Sequence, residues 1–370
     1  MQKPYRFVLI NLVSPFTSHH EAEIDLEELK QLVSTFGGAS IVRIIQRRIK
    51  PDPHTYIGTG KAAELIQIVD DDKIDVIVIN DIVKPTQLFN IKKMLWDVNP
   101  QIEVWDRIDL ILHIFEQHAN TAEAKLQIEL ARMRHMGPRI YGMGSVLSRQ
   151  GGGIGTRGIG ETNTELMKRH WRNEMKTVQE KLERLARERN HQLERRREIG
   201  FRTASIIGYT NAGKTTLFNL LTGKRKTTRD ALFATLDSSV GKLYLPTLKQ
   251  EVMVSDTIGF IQKLPAKLID AFKSTLMESI SADILLHVID ASDILMHDKI
   301  HVVEDVVREM HIDEKPTIYV FNKMDQASPS IRTDMEDVFS QYKPQFISTK
   351  TGAGIDELVR TIALQVELVR

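Results

Sequence analysis

Short apolar runs alternate with segments of helical period along most of the chain. Arg6–Val13 reads as a strand, Leu26–Phe36 as an amphipathic helix closed by Gly37-Gly38, and Ile41–Gln46 as a second strand. Lys61–Val69 follows as a helix, Ile74–Ile79 as a strand and Pro85–Val98 as a helix, and Glu103-Val104 opens another strand. Strands spaced by helices predict a small α/β domain with a parallel or mixed sheet over residues 1–105. Residues 106–197 are helical. Asp109–Met136 holds apolar residues at helical spacing and is expected to stop at Gly137-Pro138. Trp171, Met175, Val178, Leu182 and Leu185 recur at steps of four and three, the period of an antiparallel helical hairpin. From 198 to 370 the alternation returns, with strands at Ala204–Ile207, Lys242–Leu245, Val252–Ser255, Asp283–Ile289, Thr317–Phe321 and Phe346–Ser348, and a helix at Thr215–Thr222. A doubly wound, mostly parallel sheet is the assembly this pattern predicts.

Charge and composition sharpen the middle region most. The net charge of +1 hides an acid-free stretch between Glu129 and Glu161 that holds Arg132, Arg134, Arg139, Arg149 and Arg157. From Glu165 to Arg202 there are twelve Lys or Arg against seven Glu, so a polyanionic partner is expected for this segment. Residues 141–160 carry eight glycines in twenty positions, which predicts a loop at the tip of the hairpin. Arg149 and Arg157 are its candidates for RNA phosphate contact; a flexible linker, or an arm that binds a protein, is the competing reading. The chain has no cysteine, which excludes disulfide scaffolds, thiolate zinc sites and cysteine nucleophiles and agrees with a cytoplasmic location. The start of the chain reads as a strand and not as a signal peptide, and no apolar run approaches the roughly 18 residues of a membrane span.

The chemistry is concentrated in the last region. Gly208-Tyr209-Thr210-Asn211-Ala212-Gly213-Lys214-Thr215 fits G-x4-G-K-[S/T] between a strand and a helix, and Thr216 continues it. Its backbone N–H groups can cradle phosphates, Lys214 can sit between the β- and γ-phosphates, and the Thr215 hydroxyl can ligate Mg²⁺. Asn322-Lys323-Met324-Asp325, about 110 residues further on, supplies the base reader. The Asp325 carboxylate can accept from guanine N1–H and its 2-amino group, neither of which adenine offers. Asp256-Thr257-Ile258-Gly259 ends a strand. Asp256 can reach Mg²⁺ through a water, and the Gly259 N–H can touch the γ-phosphate. Thr235, within Phe233-Ala234-Thr235-Leu236-Asp237, is the candidate to close over Mg²⁺. Ser348-Thr349-Lys350 offers a backbone N–H to the guanine O6. Lys214, Thr235 and Gly259 are the expected catalytic set. GTP and GDP are the expected ligands and Mg²⁺ the expected cofactor.

These motifs resemble the translation-factor class of P-loop GTPases. Together with Gly151-Gly152-Gly153-Ile154-Gly155-Thr156-Arg157-Gly158-Ile159-Gly160-Glu161-Thr162 and Thr55-Tyr56-Ile57-Gly58-Thr59-Gly60-Lys61, the chain resembles the HflX family of ribosome-associated GTPases. The resemblance implies an N-terminal α/β domain (1–105), a helical hairpin arm (106–197) and a Ras-like P-loop GTPase domain (198–370). It also implies binding of a monomer to the large ribosomal subunit and the splitting or rescue of stalled or idle ribosomes. A role in large-subunit assembly, and signalling through a protein-binding arm, are the alternatives. Family members usually have Pro where Ile159 stands, and Gln-Leu-Glu where this chain has Asn163-Thr164-Glu165. Ras-like enzymes orient the attacking water with a glutamine after D-x-x-G; here the residue is Phe260. Slow hydrolysis alone and stimulation by ribosomes are therefore expected. Asn211 resembles the asparagine of potassium-dependent GTPases, so K⁺ is a second candidate cofactor, against a side chain that only bonds its own loop.

Overall fold

A computed structural model describes residues 4–150, 157–225, 232–233, 239–262, 268, 277–327, 329–340 and 344–369. The side chains of 138–150, 157–164, 196–197, 277–278, 329–331 and 334 are outside this description, Arg149 and Arg157 among them, and so are Ala234, Thr235, Leu236 and Asp237. The chain falls into two compact units, Met1–Gln117 with Lys125–Lys181, and His118–Ala124 with Leu182–Arg370. No described helix is long and apolar enough to cross a membrane.

In the first unit, β1 (Arg6–Val13), β2 (Ala39–Arg47), β3 (Val76–Ile79) and β4 (Glu103–Asp106) form a wholly parallel sheet in the order β2-β1-β3-β4. The helices α1 (His19–Phe36), α2 (Thr59–Asp71) and α3 (Pro85–Leu95) make the crossovers. Val8, Ile10, Leu65, Ile77, Ile79 and Ile91 lie in the core on one face. The helix α1 begins seven residues earlier than its apolar stripe indicated. Ser18 and Glu21 form a reciprocal capping box that satisfies the first-turn donors. Gly37 ends the helix at φ 91°, where a side chain would be strained. Beyond the carboxyl ends of the strands, Arg107 is 2% exposed and donates to Asn80 Oδ1 at 2.6 Å and to Glu28 Oε2 at 2.5 Å. A buried guanidinium is tolerable only when paired in this way.

The helical region departs from expectation in two places. The predicted Asp109–Met136 helix breaks into α4 (Arg107–His118) and α5 (Ala122–Gln150), and α5 runs through Gly137-Pro138. Proline removes one helical hydrogen bond. Beside that break the Trp171 indole, on α6 (Arg157–Glu198), donates to the Met133 carbonyl at 3.1 Å and ties the two helices together. Of the glycine-rich segment 141–160 predicted as a loop, 141–150 continue α5 and 157–160 open α6, and 151–156 lie outside the described residues. Extending an existing helix adds one bond for each residue fixed, so propagation tolerates glycines that would not nucleate a helix. His135, on α5, meets Asp106 Oδ1 at 3.1 Å and Asp109 Oδ1 at 3.4 Å. These carboxylates also cap α4 through backbone N–H groups at 2.9 and 3.0 Å.

The second unit holds β5 (Arg202–Gly208), α7 (Lys214–Thr222), β6 (Ser239–Leu245), β7 (Gln250–Asp256) and α8 (Met277–Ser281). After these come β8 (Ile284–Asp290), α9 (Met296–Glu309), β9 (Thr317–Asn322), α10 (Pro329–Val338), β10 (Gln345–Phe346) and α11 (Ile355–Leu368). The strand order is β10-β9-β8-β5-β7-β6, parallel throughout except for β6 against β7. One face packs Ile206, Val254, Val288 and Val320 against Leu217, Phe218, Leu358 and Ile362. Chain order reverses at β5, between β7 and β8, and a crevice at that point is where such sheets bind ligands.

Candidate nucleotide site

The loop between β5 and α7 needs three backbone turns that side chains resist. Gly208 has φ 147°, and a Cβ there would stand 2.2 Å from the Val288 carbonyl oxygen. Gly213 has φ 95°, and its Cβ would stand 2.2 Å from Asn322 Nδ2. Asn211 takes φ 63°, a conformation asparagine tolerates better than most residues. The result is a curl of backbone that feeds its N–H groups into the start of α7, the geometry that receives phosphate.

Lys214 lies at the base of this curl, buried, with its ammonium donating to the Tyr209 carbonyl at 2.6 Å. Burial pushes its pKa down to about 8, against an opposing pull from Asp256. Its neighbour His287, buried on β8, is pushed down to about 3 by burial and by the Lys214 charge, so it is neutral. Thr215 Oγ1 donates to Asp256 Oδ2 at 3.0 Å. Thr216 follows in the first turn of α7. Asp256 and Thr257 are fully buried, and Thr257 donates to the Ile206 carbonyl at 2.7 Å. Ile258 is buried beside them. A Cβ on Gly259 would meet Lys214 Nζ at 2.7 Å and Thr210 Cα at 2.8 Å, so only glycine fits between these groups. Phe260 is 2% exposed, and its backbone exchanges bonds with the loop: Thr210 N–H to Phe260 O at 2.8 Å and Phe260 N–H to Gly208 O at 3.1 Å.

The predicted base reader and phosphate loop meet through one side chain. Asn322 is fully buried; its amide donates to the Ala212 carbonyl at 2.8 Å and accepts from the Thr349 N–H at 3.0 Å. Three motifs that are far apart in sequence therefore share one carboxamide. Ser348 donates to Asp325 Oδ1 at 2.6 Å, and Lys350 lies 3.9 Å from Oδ2. The Ser348 hydrogen bond holds Asp325 below the ordinary carboxylate range, so it presents an ionised acceptor. Met324 N–H reaches the Ile347 carbonyl at 3.2 Å.

Sequence reasoning missed the supports. Lys323 pairs with Asp290, at the end of β8, at 2.6 Å. Lys299 of α9 lies 4.8 Å above the Tyr209 ring and pairs with Asp293. The Tyr209 hydroxyl accepts from the Gln262 N–H at 2.7 Å. Phe233 is buried at φ 57°, alone with Leu232 in the described part of its segment. Asp290, Lys299, Asp293 and Gln262 belong to no spaced motif, so the chain order carried no signal for them.

Known proteins resemble this chain over most of its length. Residues 23–116 match the model of the GTP-binding GTPase N-terminal region, and 118–196 that of the GTP-binding GTPase middle region. Residues 203–323 match the family described as 50S ribosome-binding GTPase. GTPase HflX of Caldanaerobacter subterraneus subsp. tengcongensis is 42% identical over 357 residues, covering 96% of this chain and 79% of that protein. GTPase HflX of Escherichia coli is 39% identical over 352 residues, covering 94% and 80%. The crystal structure of SsGBP with GDP is similar with TM-score 0.54 and 26% identity, covering 98% of this chain and 99% of that one. The chain belongs to the HflX family of GTP-binding proteins, and its phosphate loop is that of an enzyme that hydrolyses GTP.

Proposed function

We propose that GTP binds across Gly208–Thr215, Asn322–Asp325 and Ser348-Thr349-Lys350, and that its hydrolysis gates association with the large ribosomal subunit. The observation that carries the nucleotide half is Asn322, which fixes the phosphate loop and both base-reading segments in one frame. Asp325 accepts from the guanine edge, Lys214 leaves the Tyr209 carbonyl for the phosphates, and the Gly259 N–H approaches the terminal phosphate. Thr215 and Asp256 offer a hydroxyl and a carboxylate 3.0 Å apart, hard oxygen donors of the kind Mg²⁺ prefers. Mg²⁺ bound there would neutralise charge on the β- and γ-phosphates. Thr235 would complete its surroundings. If Asn211 holds K⁺, hydrolysis runs faster in KCl than in NaCl, and equal rates remove that cofactor.

The ribosomal half is supported by the acid-free, arginine-bearing stretch between Glu129 and Glu161 and by the 50S ribosome-binding GTPase family match. In this reading the chain has three functional parts, 1–105, 106–197 and 198–370. Arg149 and Arg157 contact ribosomal RNA, and idle or stalled ribosomes are split. Co-sedimentation with 50S, 30S and 70S particles, with a GTP analogue and with GDP, tests it. Binding to 50S that is stronger with the analogue, and weakened by Arg149→Ala with Arg157→Ala, is expected. Equal binding in both nucleotide states would overturn the gating.

A further inference from the structure

Thr210 carries a hydroxyl that the fold does not use. The residue is 6% exposed, and its Oγ1 is buried without a hydrogen-bond partner. Buried polar atoms in native structures nearly always have a partner, and one that lacks it needs an explanation. The residue's backbone N–H donates to the Phe260 carbonyl. Valine would fill the same space without a desolvated hydroxyl, so packing alone gives no reason for threonine.

The place of the residue supplies the reason. A Cβ on Gly259 would lie 2.8 Å from both Cα and Cγ2 of Thr210 and 2.7 Å from Lys214 Nζ. Thr210, the Gly259 backbone and the phosphate-binding ammonium thus converge on one spot. One step between staggered rotamers can bring the Thr210 hydroxyl to the position its methyl now holds. The side chain that would ordinarily orient the attacking water follows this glycine, and here it is Phe260, buried and without a polar atom. Among the described residues around this glycine, Thr210 has a side-chain hydroxyl with no other engagement.

We propose that the Thr210 hydroxyl positions the attacking water against the terminal phosphate of GTP. This rests on the phosphate-loop reading above and not on the ribosomal one. The hydroxyl accepts from the water and donates to a γ-phosphate oxygen, with no net transfer of its own proton. The water oxygen forms a bond to the γ-phosphorus while the bond from phosphorus to the β,γ-bridging oxygen breaks. That oxygen leaves with the electron pair as part of GDP, and the proton lost by the water ends on the released phosphate.

The test is single-turnover GTP hydrolysis by the full chain without ribosomes, for the wild type, Thr210→Val and Thr210→Ser. Thr210→Val should lower the rate at least tenfold, while the affinities for GDP and for a non-hydrolysable GTP analogue stay within twofold and the melting temperature is unchanged or raised. Thr210→Ser, which keeps the hydroxyl, should recover the rate to within threefold of wild type. Should Thr210→Val fail to bind GDP, Thr210→Ala takes its place under the same criteria. A valine or alanine variant hydrolysing at the wild-type rate would overturn the proposal. So would a loss of analogue affinity as large as the loss of rate, because the hydroxyl would then serve binding and not the step. Failure of GDP binding in every variant and in the wild type would instead strike the nucleotide-site reading.

Discussion

Asn322 and Gly213 should behave as one device, and a double-mutant cycle measures it. Asn322→Ala removes bonds of 2.8 and 3.0 Å and leaves the Ala212 carbonyl and the Thr349 N–H without them. A buried group left unsatisfied costs about 1–3 kcal/mol, and the half-exposed Thr349 can recover part of its share from water, so roughly 2–4 kcal/mol is expected in total. Gly213→Ala adds a Cβ that would sit 2.2 Å from Asn322 Nδ2. It must expel the carboxamide, with the same loss of about 2–4 kcal/mol, and also bear about 1–2 kcal/mol for a side chain at positive φ. With Asn322→Ala already present the collision disappears, and Gly213→Ala should add only the backbone share of about 1–2 kcal/mol. The double variant should therefore be more stable than the sum of the singles by about 2–4 kcal/mol. Urea unfolding of the nucleotide-free protein, with GDP titration calorimetry as a second readout, gives the three differences. Additivity within about 0.5 kcal/mol would refute the claim that this glycine exists to admit Asn322.

Three further outcomes follow from the same geometry. Asp325→Asn should weaken GDP binding by roughly two to three orders of magnitude and improve xanthosine diphosphate binding, because the lost acceptor is the group that pairs with guanine donors; GDP affinity within threefold of wild type in a competition assay would contradict the assignment. Lys214 has its folded pKa lowered to about 8, below the ordinary 10.5, so the unfolded chain holds more protons between these values. Stability of the nucleotide-free protein should therefore rise with pH across that window. Phosphate favours the charged form, so GDP binding at pH 8.5 should take up a proton, and calorimetry in buffers of different ionisation enthalpy that shows none would refute this. For His135 burial lowers the pKa, but the hydrogen bonds to Asp106 and Asp109 outweigh it and the net shift is upward. Its contribution is thus complete below the ordinary value of 6.5 and is lost as pH rises through the folded value. His135→Gln should cost about 3 kcal/mol near pH 6 and less at pH 9. All three tryptophans, Trp96, Trp105 and Trp171, lie in the first unit, so their fluorescence during urea unfolding isolates it.

Much of the site was legible because its chemistry is tied to backbone positions in fixed order. A phosphate loop must stand between a strand and a helix, and Asn322 to Asp325 must end a strand, so spacing alone placed them correctly on β5–α7 and β9. The supports had no such order. Asp290, Lys299 and Gln262 act because tertiary packing brings them to Lys323 and Tyr209. The helix errors have separate origins. Gly137-Pro138 is a stop signal for an isolated segment, whereas Trp171, 33 residues away at its nearer member, reaches the carbonyl of Met133 and holds the helix through the break. A start at Leu26 missed α1's capping box because Glu21, Glu23 and Asp25 dilute the apolar stripe in the first turns.

The residue that looked like a defect, Phe260, has a role of its own. Tyr209 and Phe260 form a parallel bridge that stitches the phosphate loop to the segment after Gly259. The Tyr209 carbonyl accepts from Lys214, and its hydroxyl accepts from Gln262, two residues past Phe260. A nucleotide that draws Lys214 off the Tyr209 carbonyl changes one end of this stitch, and a terminal phosphate that draws the Gly259 N–H changes the other. A glutamine at 260 would have to choose between filling that apolar slot and reaching into the site, and a buried primary amide without partners is costly. Phenylalanine at 260 is buried and carries no side-chain polar atom that needs a partner, while its backbone keeps the bridge to Tyr209. The polar work of hydrolysis then falls to a neighbour on the loop side of the bridge, where the hydroxyl of Thr210 is held without a partner.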